Sequence, residues 1–80
     1  MTPPVKSGKT LDTKGLKCPL PVLKARRAMK ELAPGEVLEV LATDPGAVKD
    51  FAAFCASTGD ALLSSAQECE VYVFRIRKGG

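Results

Sequence analysis

Apolar and polar residues follow two different periods along this chain. Segments in which they alternate predict strands, whereas apolar residues three and four positions apart predict amphipathic helices. In the first helical segment, Val22, Ala25, Met29 and Leu32 fall on one face. The pattern predicts six elements, in order a strand over 9–13, a helix over 19–32, a strand over 36–43, a helix over 44–59, and strands over 60–67 and 70–78.

This order of elements predicts an α/β fold, a two-layer α/β sandwich. Connections between parallel strands are right-handed crossovers, so both helices should cover one face of a mixed four-stranded sheet. Both helices also begin after the carboxyl ends of strands, which is the edge where functional residues gather in open α/β sheets. If the first two strands are parallel neighbours, Cys18 and Asp44 lie together at that edge.

The length and composition are those of one small globular domain. The chain has 80 residues, of which 45% are hydrophobic and 26% are charged, as in ordinary folded proteins. Residues 1–8 are rich in proline and polar side chains, and we expect a flexible segment there, ahead of a domain over residues 9–80. The first segment has no apolar run typical of a signal peptide or a membrane span, so we expect a cytoplasmic protein.

The main chemical candidate is Cys18, which precedes Pro19-Leu20-Pro21 at the start of the first predicted helix. Backbone N–H groups and the positive end of the helix dipole favour a thiolate there, and the two prolines, at the first and third helical positions, fix the first turn. We therefore expect a nucleophilic Cys18 with a pKa below the value of about 8.5 for a free cysteine. The chain contains no histidine, which excludes Ser–His and Cys–His pairs and any metal site that uses histidine.

Basic residues surround Cys18 in the sequence. Residues 13–30 contain six bases and no acid, which indicates either a solvated helix face or a basic collar that lowers the thiol pKa and attracts an acidic partner or RNA. The net charge of +3 and the scarcity of aromatic residues, with no tryptophan, argue against RNA. The candidate residues for partner binding are Lys17, Lys24, Arg26 and Arg27.

The other cysteines and one acidic residue allow two interpretations each. Cys55 falls on the apolar face of the second helix and is expected to be a core residue, whereas Cys69 falls in an exposed turn. Three cysteines at these spacings match neither a disulfide framework nor a zinc site. Asp44 is first of all a predicted helix N-cap. Its second interpretation is functional, because a carboxylate near Cys18 could contact a partner or move a proton while opposing thiolate formation.

The sequence resembles the TusA (SirA-like) family of sulfur-carrier proteins. The resemblance extends over about residues 10–80 and rests on collinear motifs: Leu11-Asp12, Gly-Leu-Lys-Cys-Pro-Leu-Pro at 15–21, Pro34-Gly35-Glu36, Thr43-Asp44-Pro45, Phe54-Cys55, and Ile-Arg-Lys-Gly-Gly at 76–80. It implies that Cys18 accepts sulfane sulfur as a persulfide, with no metal and no cofactor. The donor would be a cysteine desulfurase or a rhodanese-like enzyme. The acceptor would be a protein of tRNA thiolation, molybdenum-cofactor biosynthesis or sulfur oxidation.

Three other functions remain to be weighed against this one. Cys18 could be a redox sensor in a regulatory interaction domain, or the basic helix could belong to a small RNA-binding module. The terminal Gly79-Gly80 is similar to the end of thiocarboxylate carriers. Those carriers are ubiquitin-like and begin with a hairpin, whereas this chain begins strand-helix-strand, so we interpret the two glycines as a flexible tail.

Overall fold

The structure, a computed structural model, describes residues 7–79. It contains the six predicted elements in the predicted order. They are β1 (Ser7–Thr13), α1 (Leu20–Met29), β2 (Val37–Ala42), α2 (Ala47–Thr58), β3 (Ala61–Glu68) and β4 (Val71–Arg77). Residues 1–6, most of the segment expected to be flexible, lie outside the described residues, and β1 begins two residues before the predicted start.

The strands form one mixed sheet in the order β1-β2-β4-β3. The pair β1 and β2 is parallel, and β4 is antiparallel to both β2 and β3. Alternate residues of the strands point towards the helices, and the register places Val40 beside Leu11 on one side and Phe74 on the other. The predicted mixed four-stranded sheet, with its parallel first two strands, is confirmed.

The core lies between this face of the sheet and the two helices. Phe51 of α2 is fully buried and stacks on Phe74 of β4, with ring centroids 4.7 Å apart. Ala25 and Met29 place α1 in the same hydrophobic cluster. Truncation of a buried phenylalanine costs about 3–5 kcal/mol in such a core. The helices are therefore fixed on the sheet, and so are the loops that precede them.

The helices are shorter than the sequence predicted. Beyond Met29 the chain continues in tight turns, because the N–H groups of residues 30–32 donate to carbonyls three residues back. These turns keep Leu32 buried, which explains why the apolar pattern extended past the helix. At the start of α1, Pro19 is the N-cap and Pro21 the second helical residue, instead of the predicted first and third positions.

The second helix begins at Ala47 with Gly46 as its N-cap, so the prediction that Asp44 caps this helix is wrong. The N–H group of Ala47 donates to the Asp44 carbonyl at 2.9 Å, which closes a turn before the helix. The Asp44 side chain is thereby left for contacts outside the helix. At its other end, α2 stops at Gly59, as predicted, in a left-handed conformation with φ of 86°.

The carboxyl-terminal tail is held where the structure describes it. The N–H group of Gly79 donates to Asp60 Oδ1 at 2.9 Å, so this glycine is not the free tail that we expected, while Gly80 lies outside the described residues. Within residues 7–79, neither helix is long and apolar enough to cross a membrane.

Candidate functional site

The loop between β1 and α1 is anchored to the end of β2. Thr13, fully buried, donates its hydroxyl hydrogen to the Leu41 carbonyl at 2.5 Å. Two residues later, the N–H group of Gly15 donates to Thr43 Oγ1 at 2.9 Å. Gly15 has a φ of 86°, a conformation that favours glycine. These bonds fix the chain that leads to Cys18 against the carboxyl edge of the sheet.

Asp44 holds the backbone of Cys18. Its Oδ2 accepts the N–H group of Cys18 at 2.6 Å, and its Oδ1 accepts the N–H group of Gly46 at 3.3 Å. One carboxylate therefore joins the loop before α1 to the loop before α2. The predicted meeting of Cys18 and Asp44 at the sheet edge is confirmed, and the role of Asp44 is to orient the loop rather than to cap a helix.

Cys18 lies directly before the N-cap Pro19, and the peptide bond between the two residues is cis. Its side chain is exposed. The first turn is closed by the N–H group of Leu20, which donates to the Lys17 carbonyl at 2.8 Å, while Pro21 is buried beneath it. The two prolines thus support a rigid segment that presents the thiol to solvent.

A second carboxylate, Asp50 in the first turn of α2, contacts the sulfur itself. The Cys18 thiol donates a hydrogen bond to Asp50 Oδ2. Asp50 was not among the predicted site residues, since nothing in the linear spacing of 32 positions links it to Cys18. The available signal was topological. Both helices start at the same edge of the sheet, so an acid in the first turn of the second helix is expected to lie near Cys18.

The two carboxylates disfavour the thiolate form of Cys18. The hydrogen bond to Asp50 raises the pKa of Cys18, desolvation raises it further, and the negative charges of Asp50 and Asp44 act in the same direction. The prediction of a lowered pKa is therefore wrong. The helix dipole and the basic collar do not compensate, because the acids lie at the sulfur while the bases extend along the flanks of α1.

The four predicted partner-binding bases are exposed but do not share one surface. Lys24 and Arg27 line a groove of about 460 Å³ between α1 and β1. Arg26 lines a separate groove of about 340 Å³ between α1 and α2, whose wall also includes Asp50. Lys17 precedes Cys18 in the loop. The collar seen in the sequence is thus divided between two sides of the helix.

Comparison with known proteins agrees with this architecture. The family described as "Sulfurtransferase TusA" matches residues 9–78, almost the whole chain. This chain belongs to the TusA family of sulfur carriers. A sulfur carrier protein TusA of Allochromatium vinosum is 48% identical over 68 residues, which cover 85% of this chain and 90% of the relative. A putative sulfur carrier protein of Bacillus subtilis, YrkI, is 47% identical over 75 residues, 94% of this chain and 100% of the relative.

The fold of the family is also shown by a solved structure. The crystal structure of a SirA-like protein from Desulfitobacterium hafniense has a TM-score of 0.79 with this chain at 26% identity, and the match covers 90% of this chain and 99% of that one. The resemblance to TusA (SirA-like) proteins and the predicted α/β sandwich are both confirmed.

The remaining cysteines of this TusA-family chain differ in accessibility. Cys55 is only 5% exposed and belongs to the core, as predicted, and its burial raises the pKa of its thiol. Cys69 is exposed in the turn between β3 and β4 and has a φ of 57°. Cys18 is thus the exposed cysteine held at the sheet edge by Asp44 and Asp50, whereas Cys69 lies in the hairpin.

Proposed function

We propose that this protein accepts sulfane sulfur as a persulfide on Cys18 and relays it to an acceptor protein. The observation that carries the proposal is the exposed Cys18 thiol, held at the carboxyl edge of the sheet by the bond from its N–H group to Asp44. Membership of a sulfur-carrier family supports the same conclusion. The thiol projects from a fixed loop with its sulfur open to a partner, as a carrier requires.

The chemistry is a thiol exchange at sulfur. As a thiolate, Cys18 attacks the terminal sulfur of a donor persulfide, a new S–S bond forms, and the donor S–S bond breaks. The donor cysteine leaves as a thiolate and takes up the proton that Cys18 has lost. In the second half of the cycle an acceptor thiolate attacks the terminal sulfur on Cys18 and regenerates the thiol. Neither half needs an external oxidant or reductant.

The partners follow from this chemistry and from the family. The donor is a cysteine desulfurase or a rhodanese-like enzyme, and the acceptor belongs to tRNA thiolation, molybdenum-cofactor biosynthesis or sulfur oxidation. The exposed bases of α1, Lys24 and Arg27 on one flank and Arg26 on the other, would attract an acidic surface on the donor or acceptor protein. Lys17 adds a positive charge beside the thiol in the chain.

A redox sensor is the weaker alternative on electrostatic grounds. Oxidation of cysteine follows its thiolate character, and sensor cysteines are typically thiols of low pKa. The hydrogen bond to Asp50 instead raises the pKa of Cys18. This direction of the shift in the Cys18 pKa is opposite to the one typical of a sensor cysteine.

Intact mass measurement tests the proposed function. After treatment with a cysteine desulfurase and cysteine, the wild type should gain the mass of sulfur atoms, and a reductant should remove them. Cys18→Ser should keep the fold and gain none, whereas Cys69→Ser, the matched control at the other exposed cysteine, should load as the wild type does. Labile sulfur on Cys18→Ser would contradict the assignment, and a gain of oxygen atoms alone would indicate a sensor.

A further inference from the structure

The sulfur of Cys18 lies in an acidic environment, although the helix beside it is basic. Asp50 Oδ2 accepts the thiol hydrogen bond, and Asp44 accepts the N–H group of the same residue. These two carboxylates contact Cys18 directly, whereas Lys17 is its neighbour in the chain and Arg26 lines the groove that Asp50 also lines. The hydrogen bond to Asp50 raises the pKa of Cys18, and desolvation and the negative charges of Asp50 and Asp44 act in the same direction.

The two carboxylates have different contacts. Both oxygens of Asp44 are occupied by backbone N–H groups, those of Cys18 and Gly46, so this side chain is committed to the loop structure. Asp50 is half-buried in the wall of the groove between α1 and α2, and within residues 7–79 its side chain bonds to the Cys18 thiol alone. Asp50 is thus the carboxylate that a molecule approaching the sulfur through this groove would meet.

We propose that Asp50 selects partners in which a cationic group lies next to the reactive sulfur. The proposal rests on the proposed function of Cys18 and specifies one feature of its donors and acceptors. A cation placed in the groove beside Asp50 forms an ion pair at the point of reaction, whereas an anionic sulfur compound is repelled by two carboxylates. At a separation of about 5 Å in a largely aqueous environment, one such pair changes a rate by about fourfold.

The same ion pair activates the thiol. A cation that binds Asp50 competes for the acceptor of the thiol hydrogen bond and cancels one of the two nearby negative charges. Both changes favour the thiolate, which is the form that attacks sulfur. Recognition and activation are therefore coupled: Asp50 disfavours the thiolate in the free carrier, and a partner whose cation pairs with Asp50 removes this effect.

Small symmetrical disulfides of different charge test the selection without knowledge of the natural partner. The probes are cystamine, which is a dication, neutral hydroxyethyl disulfide, and anionic dithiodiglycolate. In each reaction the Cys18 thiolate attacks one sulfur, the probe S–S bond breaks, and the leaving thiolate takes up a proton. The readout is the ratio of the rate constants for cystamine and dithiodiglycolate, because the fraction of thiolate cancels in a ratio measured on one protein.

The variants are compared in a Cys69→Ser background by mass mapping of Cys18. The attraction of cystamine and the repulsion of dithiodiglycolate multiply in this ratio, so relative to a small cysteine-containing peptide the parent protein should prefer cystamine by about twentyfold at low salt. Asp50→Asn should lower this preference about fifteenfold while raising the rate with the neutral disulfide, and Asp50→Glu should retain most of it. The matched control, Glu70→Gln, removes one negative charge from the exposed turn between β3 and β4 and should leave the ratio unchanged.

An Asp50→Asn ratio equal to that of the parent protein, or an equal fall in Glu70→Gln, overturns the proposal. Buried Cys55 reports folding in the same experiment, since it stays unmodified in folded protein. If Asp50→Asn fails this folding check, the proposal is tested by the salt dependence of the parent protein. Its preference for cystamine must be lost at 1 M salt, because charges are screened there beyond about 3 Å. A preference that persists at 1 M salt overturns the proposal. Sulfur loading of Cys18 is a separate measurement, so its failure overturns the carrier function and not the charge preference.

Discussion

Replacement of Asp44 should both destabilise the protein and activate its thiol. The bond from the Cys18 N–H group to Asp44 Oδ2 is 2.6 Å long, and a second bond from Gly46 is 3.3 Å long. A hydrogen bond to a charged group contributes about 1.5–3 kcal/mol. Because Cys18 is exposed and Asp44 only half-buried, we take the lower half of this range, and expect Asp44→Ala to lower the free energy of unfolding by about 1.5–2 kcal/mol.

A paired variant separates geometry from charge. Asp44→Asn keeps an oxygen that can accept the Cys18 N–H group but removes the negative charge, so it should lose about half as much stability as Asp44→Ala. The charge of Asp44 raises the pKa of Cys18. Its removal in either variant should therefore lower that pKa and increase the thiolate fraction at neutral pH, and both variants should react faster with iodoacetamide than the wild type.

Two assays check these expectations. Urea denaturation followed by circular dichroism gives the free energy of unfolding, and in a domain of this size 1 kcal/mol corresponds to about 4–8 °C in Tm. The pH profile of Cys18 alkylation, mapped by mass, gives the direction of the pKa change. The reasoning is refuted if Asp44→Ala unfolds at the same urea concentration as the wild type. It is equally refuted if the midpoint of the alkylation profile stays constant or moves to higher pH.

Two further predictions concern the flanks of α1 and the remaining thiols. With an acidic donor protein at low salt, Arg26→Glu and Lys24→Glu, each on its own flank, should lower the association rate and weaken its dependence on salt, and unchanged rates in both would show that these bases are only solvated. In native protein, iodoacetamide should modify exposed Cys69 readily and buried Cys55 only after denaturation, so that early modification of Cys55 would contradict its place in the core.

The sequence was sufficient to predict the fold and the pairing of Cys18 with Asp44 in the site, but not the contact with Asp50. The spacing of apolar residues along a strand or helix reflects which of its faces is buried. Because the helices and the central strands of this fold bury one face each, the order of elements was predicted correctly. The rule that parallel strands end at one edge then brought Cys18 and Asp44 together. The limits of α1 were less accurate because Leu32 is buried by tight turns after the helix, and a burial pattern does not distinguish these turns from a helix.

The other half of the site depends on how α2 packs against the loop before α1. Asp50 is 32 positions from Cys18, and its contact with the sulfur requires the docked position of α2, which Phe51 fixes through its packing on Phe74. No local pattern encodes this contact. The error in the direction of the Cys18 pKa has the same origin: the helix dipole and the basic collar belong to the local sequence, whereas both acids come from distant segments.

The bases on the flanks of α1 and the carboxylates beside the Cys18 sulfur carry opposite charges, and they act on a partner at different distances. The bases on α1 act over about a Debye length and attract an acidic protein surface, whereas the carboxylates act at the reacting atoms. Glutathione and its disulfide are anionic at neutral pH, so under the proposed function the charges of Asp44 and Asp50 should slow their reaction with a persulfide on Cys18. A thiol of raised pKa is also a poorer leaving group, which slows discharge of the sulfur to any thiol that lacks a compensating cation. If Cys18 carries sulfur as we propose, this arrangement favours transfer to a docked protein over loss to small anionic thiols.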